Sequence, residues 1–218
     1  MGYQVAIDGP AGAGKSTIAK LVAKEKGFIY VDTGAMYRAL AVYFLDQGIQ
    51  AEDTDKIIQA VGQAEVKIRY EEGIQQVYLN GVNVTGRLRE EAVGNMASKS
   101  SAIPEVRAKL LDLQRGLAQE EDVVMDGRDI GTCVLPEADV KVFLTASVET
   151  RARRRYDELQ EKGVPCDLEE IKADIRERDE RDMTRETAPL RQADDAVLID
   201  SSDMTIPEVT AAIVALCK

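Results

Sequence analysis

The amino-acid sequence predicts an α/β fold in three layers, a five-stranded parallel sheet covered on both faces by helices. Short apolar runs without polar alternation recur at 4–8, 28–31, 123–126, 140–144 and 196–200, as expected of strands buried on both faces. Stretches of helical spacing separate them, and parallel neighbours need such crossovers. At the first strand-to-helix junction lies Gly9-Pro10-Ala11-Gly12-Ala13-Gly14-Lys15-Ser16-Thr17, which matches G-x-x-x-x-G-K-[ST] without a mismatch.

That junction predicts a nucleoside triphosphate site. Glycines let the backbone fold back so that successive N–H groups converge on an anion. Lys15 adds a mobile positive charge, and a helix starting at Ser16 or Thr17 offers free N–H groups and its dipole to a phosphate. The Ser16 hydroxyl is placed to ligate Mg²⁺ directly. Val5-Ala6-Ile7 before the loop and Ile18, Leu21 and Val22 after it supply the strand and helix that the mechanism requires.

The elements follow in order. The first helix, 15–26, ends at Gly27, the usual position just past a helix. After the strand at 28–31, Asp32-Thr33-Gly34 is expected to turn into a helix over 35–45, with Arg38 in its first turns. Residues 53–63 read as helical. Val66 to Tyr70 then alternates apolar with charged residues, and Val77 and Leu79 resume the alternation. With Asn80-Gly81, a strong hairpin signal, these predict a small antiparallel insert. A helix is expected over 86–100, and another from Pro104 to about 121. The strand at 123–126 ends in Asp126. Two densely charged helices, 149–162 and 167–184, flank Gly163-Val164-Pro165, and a closing helix covers 205–216. Most such charged helices are solvated faces.

Composition narrows the function. At 218 residues, 44% hydrophobic and 31% charged, the chain suits one domain with insertions, and no apolar run approaches a membrane span. No room is left for a signal peptide before the first strand, and Ala6 breaks a myristoylation pattern, so the cytoplasm is the expected compartment. Cys133, Cys166 and Cys217 have neither disulfide nor zinc spacing. A formal charge of −11 argues against a sequence-independent nucleic-acid binder. With no histidine, any acid or base must be a carboxylate, lysine or water. Phosphoryl transfer tolerates that, since positioning and charge stabilisation do most of the work.

Asp32-Thr33-Gly34-Ala35-Met36-Tyr37-Arg38, Asp126-Gly127-Arg128-Asp129-Ile130-Gly131-Thr132 and Arg178-Asp179-Glu180-Arg181-Asp182, together with the glycine-rich loop, closely resemble the bacterial cytidylate kinases over essentially the whole chain. The resemblance implies the P-loop NTPase fold of nucleoside monophosphate kinases. It implies transfer of the ATP γ-phosphate to CMP and dCMP, with Mg²⁺, by a monomer. The chain would then be one kinase domain, 1–218, with an acceptor region at about 35–100 containing the insert and a lid at about 149–184 that excludes water.

A kinase for a monophosphate needs cations on the acceptor side too, and Arg38 and Arg128 follow strands and glycine-containing turns where the ligand crevice of an open parallel sheet lies. Either could instead pair only with a nearby carboxylate. Cytosine offers an amino donor at N4 and an acceptor at N3, so a carboxylate and an arginine would select it over uracil. The resemblance gives Asp129 and Arg107 these roles and sets the Thr33 hydroxyl near the base, where the family commonly has serine. From its helix, Arg107 could equally reach Glu105, Asp112 or solvent. Ser98 corresponds to a sugar contact, although a serine in this run is as readily a capping or solvated hydroxyl. Arg178 and Asp182, four apart on one helix face, become contacts to the acceptor's ribose or phosphate. Arg185, with Lys15 and Arg128, serves the transferring phosphate. Arg151, Arg153, Arg154 and Arg155 supply further charge to the lid. Asp126 ends its strand where a carboxylate faces Mg²⁺, usually through water, or else caps or forms a salt bridge.

Other readings are a kinase of uridylate or shikimate type, a GTPase-like switch, or a nucleotide-dependent structural module. The switch is disfavoured because the chain lacks an N-K-x-D guanine-reading motif, and the module leaves Arg38, Arg128 and Asp129 without a role.

Overall fold

The computed structural model describes residues 2–218. In chain order the elements are β1 (Gln4–Asp8), α1 (Lys15–Lys26), β2 (Ile29–Asp32), α2 (Thr33–Asp46), α3 (Thr54–Val61), β3 (Val66–Glu71), β4 (Ile74–Leu79), β5 (Val82–Asn83), α4 (Glu91–Ser100), α5 (Pro104–Glu120), β6 (Val123–Gly127), β7 (Val140–Thr145), α6 (Val148–Glu161), α7 (Leu168–Thr184), β8 (Val197–Asp200) and α8 (Ile206–Leu216). The main sheet is parallel in the order β2-β6-β1-β7-β8, and β3-β4-β5 form a separate antiparallel sheet.

Alternate residues of the central strands serve opposite layers, as the two-residue period of a strand requires. Val5, Ile7, Val124, Val142 and Leu144 pack with Ile18, Val22, Val209 and Ile213 of α1 and α8. Ala6, Val31 and Met125 point the other way, to Met36, Leu40, Phe44, Met96 and Leu110 of α2, α4 and α5. Every residue of β1 is buried. Each large aliphatic side chain so buried contributes about 1.5–3 kcal/mol, which explains why these runs carry no polar alternation.

Two expected boundaries move. Asp32-Thr33-Gly34 is not a free turn: α2 already begins at Thr33, because Asp32 Oδ1 accepts from the Ala35 N–H at 2.8 Å and caps the helix. The helix expected from 86 begins only at Glu91. Ahead of it, Thr85 Oγ1 accepts from Val77 N–H at 2.9 Å, and Arg87 grips both Asp46 carboxylate oxygens at 2.8 Å each. Those bonds tie 85–87 to β4 and α2 as a short 3₁₀ turn. The hairpin after β4 turns through Asn80 and Gly81, with φ of 48° and 83°, the pair of positive values of a type I′ turn.

Strand register brings the carboxylates to one edge. Asp126 lies beside Asp32 and Ile7, and Asp8 beside Gly127. This is the C-terminal edge, where an open α/β sheet binds ligands. Among the described residues no helix is long and apolar enough to cross a membrane, and all three cysteines are free thiols.

Candidate active site

The phosphate loop is shaped by what surrounds it. At Gly9 φ is 149°, and a Cβ there would lie 1.9 Å from the Leu144 carbonyl oxygen of β7, so only glycine passes. Gly14, with φ 87°, swings the chain into α1 and leaves the first N–H groups of that helix without side-chain caps. Lys15 is buried and its Nζ donates to the Pro10 carbonyl at 2.8 Å. Burial, and then the Arg128 charge, push its pKa down to about 7. The loop therefore holds a cation that a polyphosphate would stabilise.

Ser16 Oγ donates to Asp126 Oδ2 at 2.9 Å, while the Tyr30 hydroxyl donates to Asp126 Oδ1 at 2.8 Å. Burial foremost, followed by the Asp32 charge, raises the Asp126 carboxyl above its usual range. A nearby cation would relieve that cost. Ser16 and Asp126 offer two hard oxygens, and among the described residues no group of three or more acidic or thiol side chains is arranged around a metal. This donor set fits Mg²⁺, which prefers few protein ligands together with phosphate oxygens and water.

Facing the loop is a ring of arginines. Arg38 donates to Asp32 Oδ2 at 2.9 Å, and β4 fixes Asp32 in turn: the Asp32 N–H donates to Gln75 Oε1 at 2.9 Å, and Gln75 Nε2 donates to the Asp32 carbonyl at 3.2 Å. The Tyr70 hydroxyl donates to the Tyr30 carbonyl at 3.1 Å. The insert thus satisfies the free edge of β2 through side chains, as a neighbouring strand would. Arg107 donates to Asp129 Oδ2 and also to the Ser101 carbonyl at 3.1 Å. It turns away from Glu105 and Asp112 on its own helix. Arg128 Nε donates to Asp182 Oδ2 at 2.8 Å. Arg185 donates to the Ala188 carbonyl through Nε and Nη2, at 2.8 and 2.6 Å, and lies 3.7 Å from Asp129 and 4.0 Å from Asp182. Arg178 differs from these. Among the described residues it forms no ion pair, and its buried Nε has no hydrogen-bond partner. Burial and the adjacent charge of Arg128 lower its pKa.

Both halves open on one cleft of about 740 Å³. Residues 11–17 of the loop line it, with Thr33, Arg38, Arg107, Asp126, Arg128, Asp129, Arg178, Asp182 and Arg185. Gly9 and Pro10 lie outside that lining. Ser98 does too: its hydroxyl accepts from Arg181 Nη1 at 3.1 Å, while Gly94, Ala97 and Ser101 face the cavity. Thr33 Oγ1 donates to the Asp126 carbonyl at 2.8 Å, tying the start of α2 to the end of β6. Of the arginines on α6, Arg151 is fully engaged: it pairs with Asp179 and donates to the Ala11 carbonyl at 2.9 Å. Arg154 donates to the Ser201 carbonyl at 2.8 Å, Arg155 to Glu158 at 2.9 Å, and Arg153 stacks over Tyr156.

Several contributors carry little or no sequence signal. Met204, Thr205, Ile206 and Val209 form a partly apolar wall beside Thr17 and Ile18, placed there only by packing of α8 on α1. Gln75 has no local signature. Asp8 does have one, an apolar run closing in a carboxylate and a glycine, just as Val123-Val124-Met125 is followed by Asp126 and Gly127.

The Cytidylate kinase family matches residues 5–218 of the chain. A cytidylate kinase of Caldicellulosiruptor saccharolyticus is 50% identical over 212 residues, which are 97% of this chain and 94% of that protein. One from Streptococcus sanguinis is 50% identical over 209 residues, 95% and 93% of the two chains. The solved structure of an uncharacterised protein from Eubacterium ventriosum is alike in fold, with a TM-score of 0.52 at 14% identity over 99% of this chain and 97% of that one. With a family match over nearly its whole length and relatives identical at half their positions, this chain belongs to the cytidylate kinase family.

Proposed function

We propose that the protein is an ATP:CMP phosphotransferase, which moves the γ-phosphate of ATP to CMP or dCMP and yields ADP with CDP or dCDP. The observation that carries this reading is the cationic side of the cleft opposite the phosphate loop. There the Arg178 Nε is buried without a hydrogen-bond partner and, among the described residues, Arg178 forms no ion pair, while the charge of Arg128 beside it lowers its pKa, so a second anion would relieve a repulsion already built into the fold.

The loop N–H groups and Lys15 would hold the β- and γ-phosphates of ATP. Arg38, Arg128 and Arg178 would take the acceptor phosphate, and Arg128, Arg185 and Lys15 would surround the group in flight as its charge spreads. The attacking atom is an oxygen of an already ionised phosphate, so no general base is needed and the absence of histidine is no handicap. Ser16 directly, and Asp126 directly or through water, would hold Mg²⁺, which supplies charge neutralisation and alignment of the phosphates.

Asp129 would read the base. Its two oxygens have four acceptor positions, and Arg107 and Arg185 do not fill them all. The N4 amino group of cytosine can donate there, with Arg107 beside its N3 and O2. Uracil would set O4 against the carboxylate, which costs about 1–3 kcal/mol for an unpaired buried acceptor. The ribose would lie toward Arg178 and Asp182, with Thr33 and Ser98 supporting the acceptor side. The α6–α7 pair, covering the region at about 149–184, would act as the lid of a cytoplasmic, monomeric enzyme that needs neither nucleic acid nor membrane.

Incubation with ATP, Mg²⁺ and CMP should yield CDP and ADP in equal amounts on anion-exchange chromatography. ADP without CDP, or faster turnover with shikimate or UMP than with CMP, would overturn the reading.

A further inference from the structure

Asp8 is a buried carboxylate to which the phosphoryl-transfer scheme assigns no part. It ends β1, immediately before Gly9, and is 5% exposed. Among the described residues it has no salt bridge. Lys141, which packs nearby on β7, directs its Nζ to Pro136 and Asp195 instead. The polar partners of Asp8 are two main-chain groups: Oδ1 accepts from Ile130 N–H and Oδ2 from Gly131 N–H, each at 2.7 Å. Burying an unpaired carboxylate is costly. The two carboxylate oxygens take one donor each, so that both N–H groups have a short, separate acceptor on one side chain.

The two N–H groups open the single wide helical turn Ile130–Val134, whose preceding residue is Asp129. Asp8 therefore clamps the main chain on the C-terminal side of Arg128 and Asp129, while β1–β6 pairing of Asp8 with Gly127 clamps the other side. Only Arg128 and Asp129 remain between the clamps, and both side chains face the cleft. The residue that follows Asp8 begins the phosphate loop. One side chain thus joins the donor half to the strip that carries Arg128 and Asp129.

We infer that Asp8 is a positioning residue for the acceptor nucleotide, holding Arg128 and Asp129 in register with the phosphate loop through the Ile130 and Gly131 amides. This rests on the CMP kinase reading above. Misplacing a binding group by about 1 Å can cost on the order of 100-fold in rate, so the register matters even though Asp8 touches neither nucleotide.

The test uses Asp8→Asn and Gly131→Ala. Asparagine keeps one acceptor but sets an NH₂ against the other N–H. A Cβ at Gly131 would sit 3.4 Å from Asp8 Oδ2 and 3.2 Å from the Lys141 side chain, crowding the same contact without a positive φ. Both variants should lower kcat/KM for CMP by roughly 10- to 100-fold and shrink the CMP-to-UMP preference, with KM for ATP within about twofold of wild type. Amide hydrogen exchange in the nucleotide-free protein should show Ile130 and Gly131 losing protection in Asp8→Asn, a readout independent of the acceptor. Unchanged exchange at those amides, an unchanged CMP-to-UMP ratio, or parallel loss of ATP and CMP affinity would each overturn the inference. Should wild type prefer another acceptor, the CMP reading fails while the exchange result still decides whether Asp8 holds the strip.

Discussion

Replacing Arg151 by methionine should destabilise the protein strongly and weaken ATP binding, and the two effects should separate in a double variant. The Arg151 side chain is 4% exposed and that of Asp179 10%. The guanidinium donates to Asp179 Oδ1 and Oδ2 at 3.0 and 2.5 Å, to the Ala146 carbonyl at 2.9 Å and to the Ala11 carbonyl at 2.9 Å. Removing one partner of such a pair leaves a buried charge uncompensated, which costs about 3–5 kcal/mol. For a chain of this size that is a fall of roughly 6–20 °C in Tm. Arg151→Met/Asp179→Leu removes both charges, and apolar replacement of a buried pair is often neutral, so most of the lost stability should return. The bond to Ala11 returns in neither variant. KM for ATP should therefore stay raised in the double variant while the urea midpoint recovers. A cost below about 1 kcal/mol for the single variant, the range of an exposed pair, would refute the view that Arg151 is a strut between the phosphate loop and α7. Recovery of ATP affinity together with stability would refute the part played by Ala11.

Two further outcomes depend on protons. Because burial lowers the Lys15 pKa to about 7 in the free protein, a polyphosphate beside it should restore the charge. Calorimetry of ATP binding near pH 8 in buffers of different ionisation heat should show proton uptake that is missing in Lys15→Met, a variant that should fold but not turn over; equal uptake in both would exclude Lys15. For Asp8, burial raises the pKa from 3.8 to about 6, so between those values the folded chain keeps a proton that the unfolded chain releases. Its stabilising contribution is complete below about pH 4 and is lost as pH rises through 6, a change of about 3 kcal/mol. The stability difference between Asp8→Asn and wild type should shift in favour of the variant by that amount from pH 4 to pH 7. A flat difference would refute the shift.

Much of this fold is legible along the chain because its causes are local. The glycines of the phosphate loop, the apolar strands and the Asn80-Gly81 turn each follow from a few neighbouring residues. The start of α2 is read two residues late, at 35 and not 33, because the glycine two residues after the capping aspartate reads as a turn. What the sequence hides is pairing at a distance. Arg107 has acidic residues two and five positions away, yet its partner is Asp129, 22 residues away. Arg87 finds Asp46 across 41 residues and so delays α4. The charges on α6 and α7 read as a solvated face, but Arg151, Asp179 and Asp182 are buried there. Nothing in the strip from Ile74 to Leu79 marks Gln75 as the residue that completes the edge of β2.

The most direct test of the central claim is the acceptor preference of the wild-type enzyme beside that of Asp129→Ala, measured as ADP release with ATP, Mg²⁺ and CMP, dCMP, UMP, AMP or GMP. CMP and dCMP should lead in the wild type. In Asp129→Ala the advantage of CMP over UMP should fall by about 5- to 150-fold, as expected when about 1–3 kcal/mol of discrimination is removed, and KM for ATP should change far less. A wild-type preference for AMP, or an undiminished CMP preference in Asp129→Ala, would contradict the account.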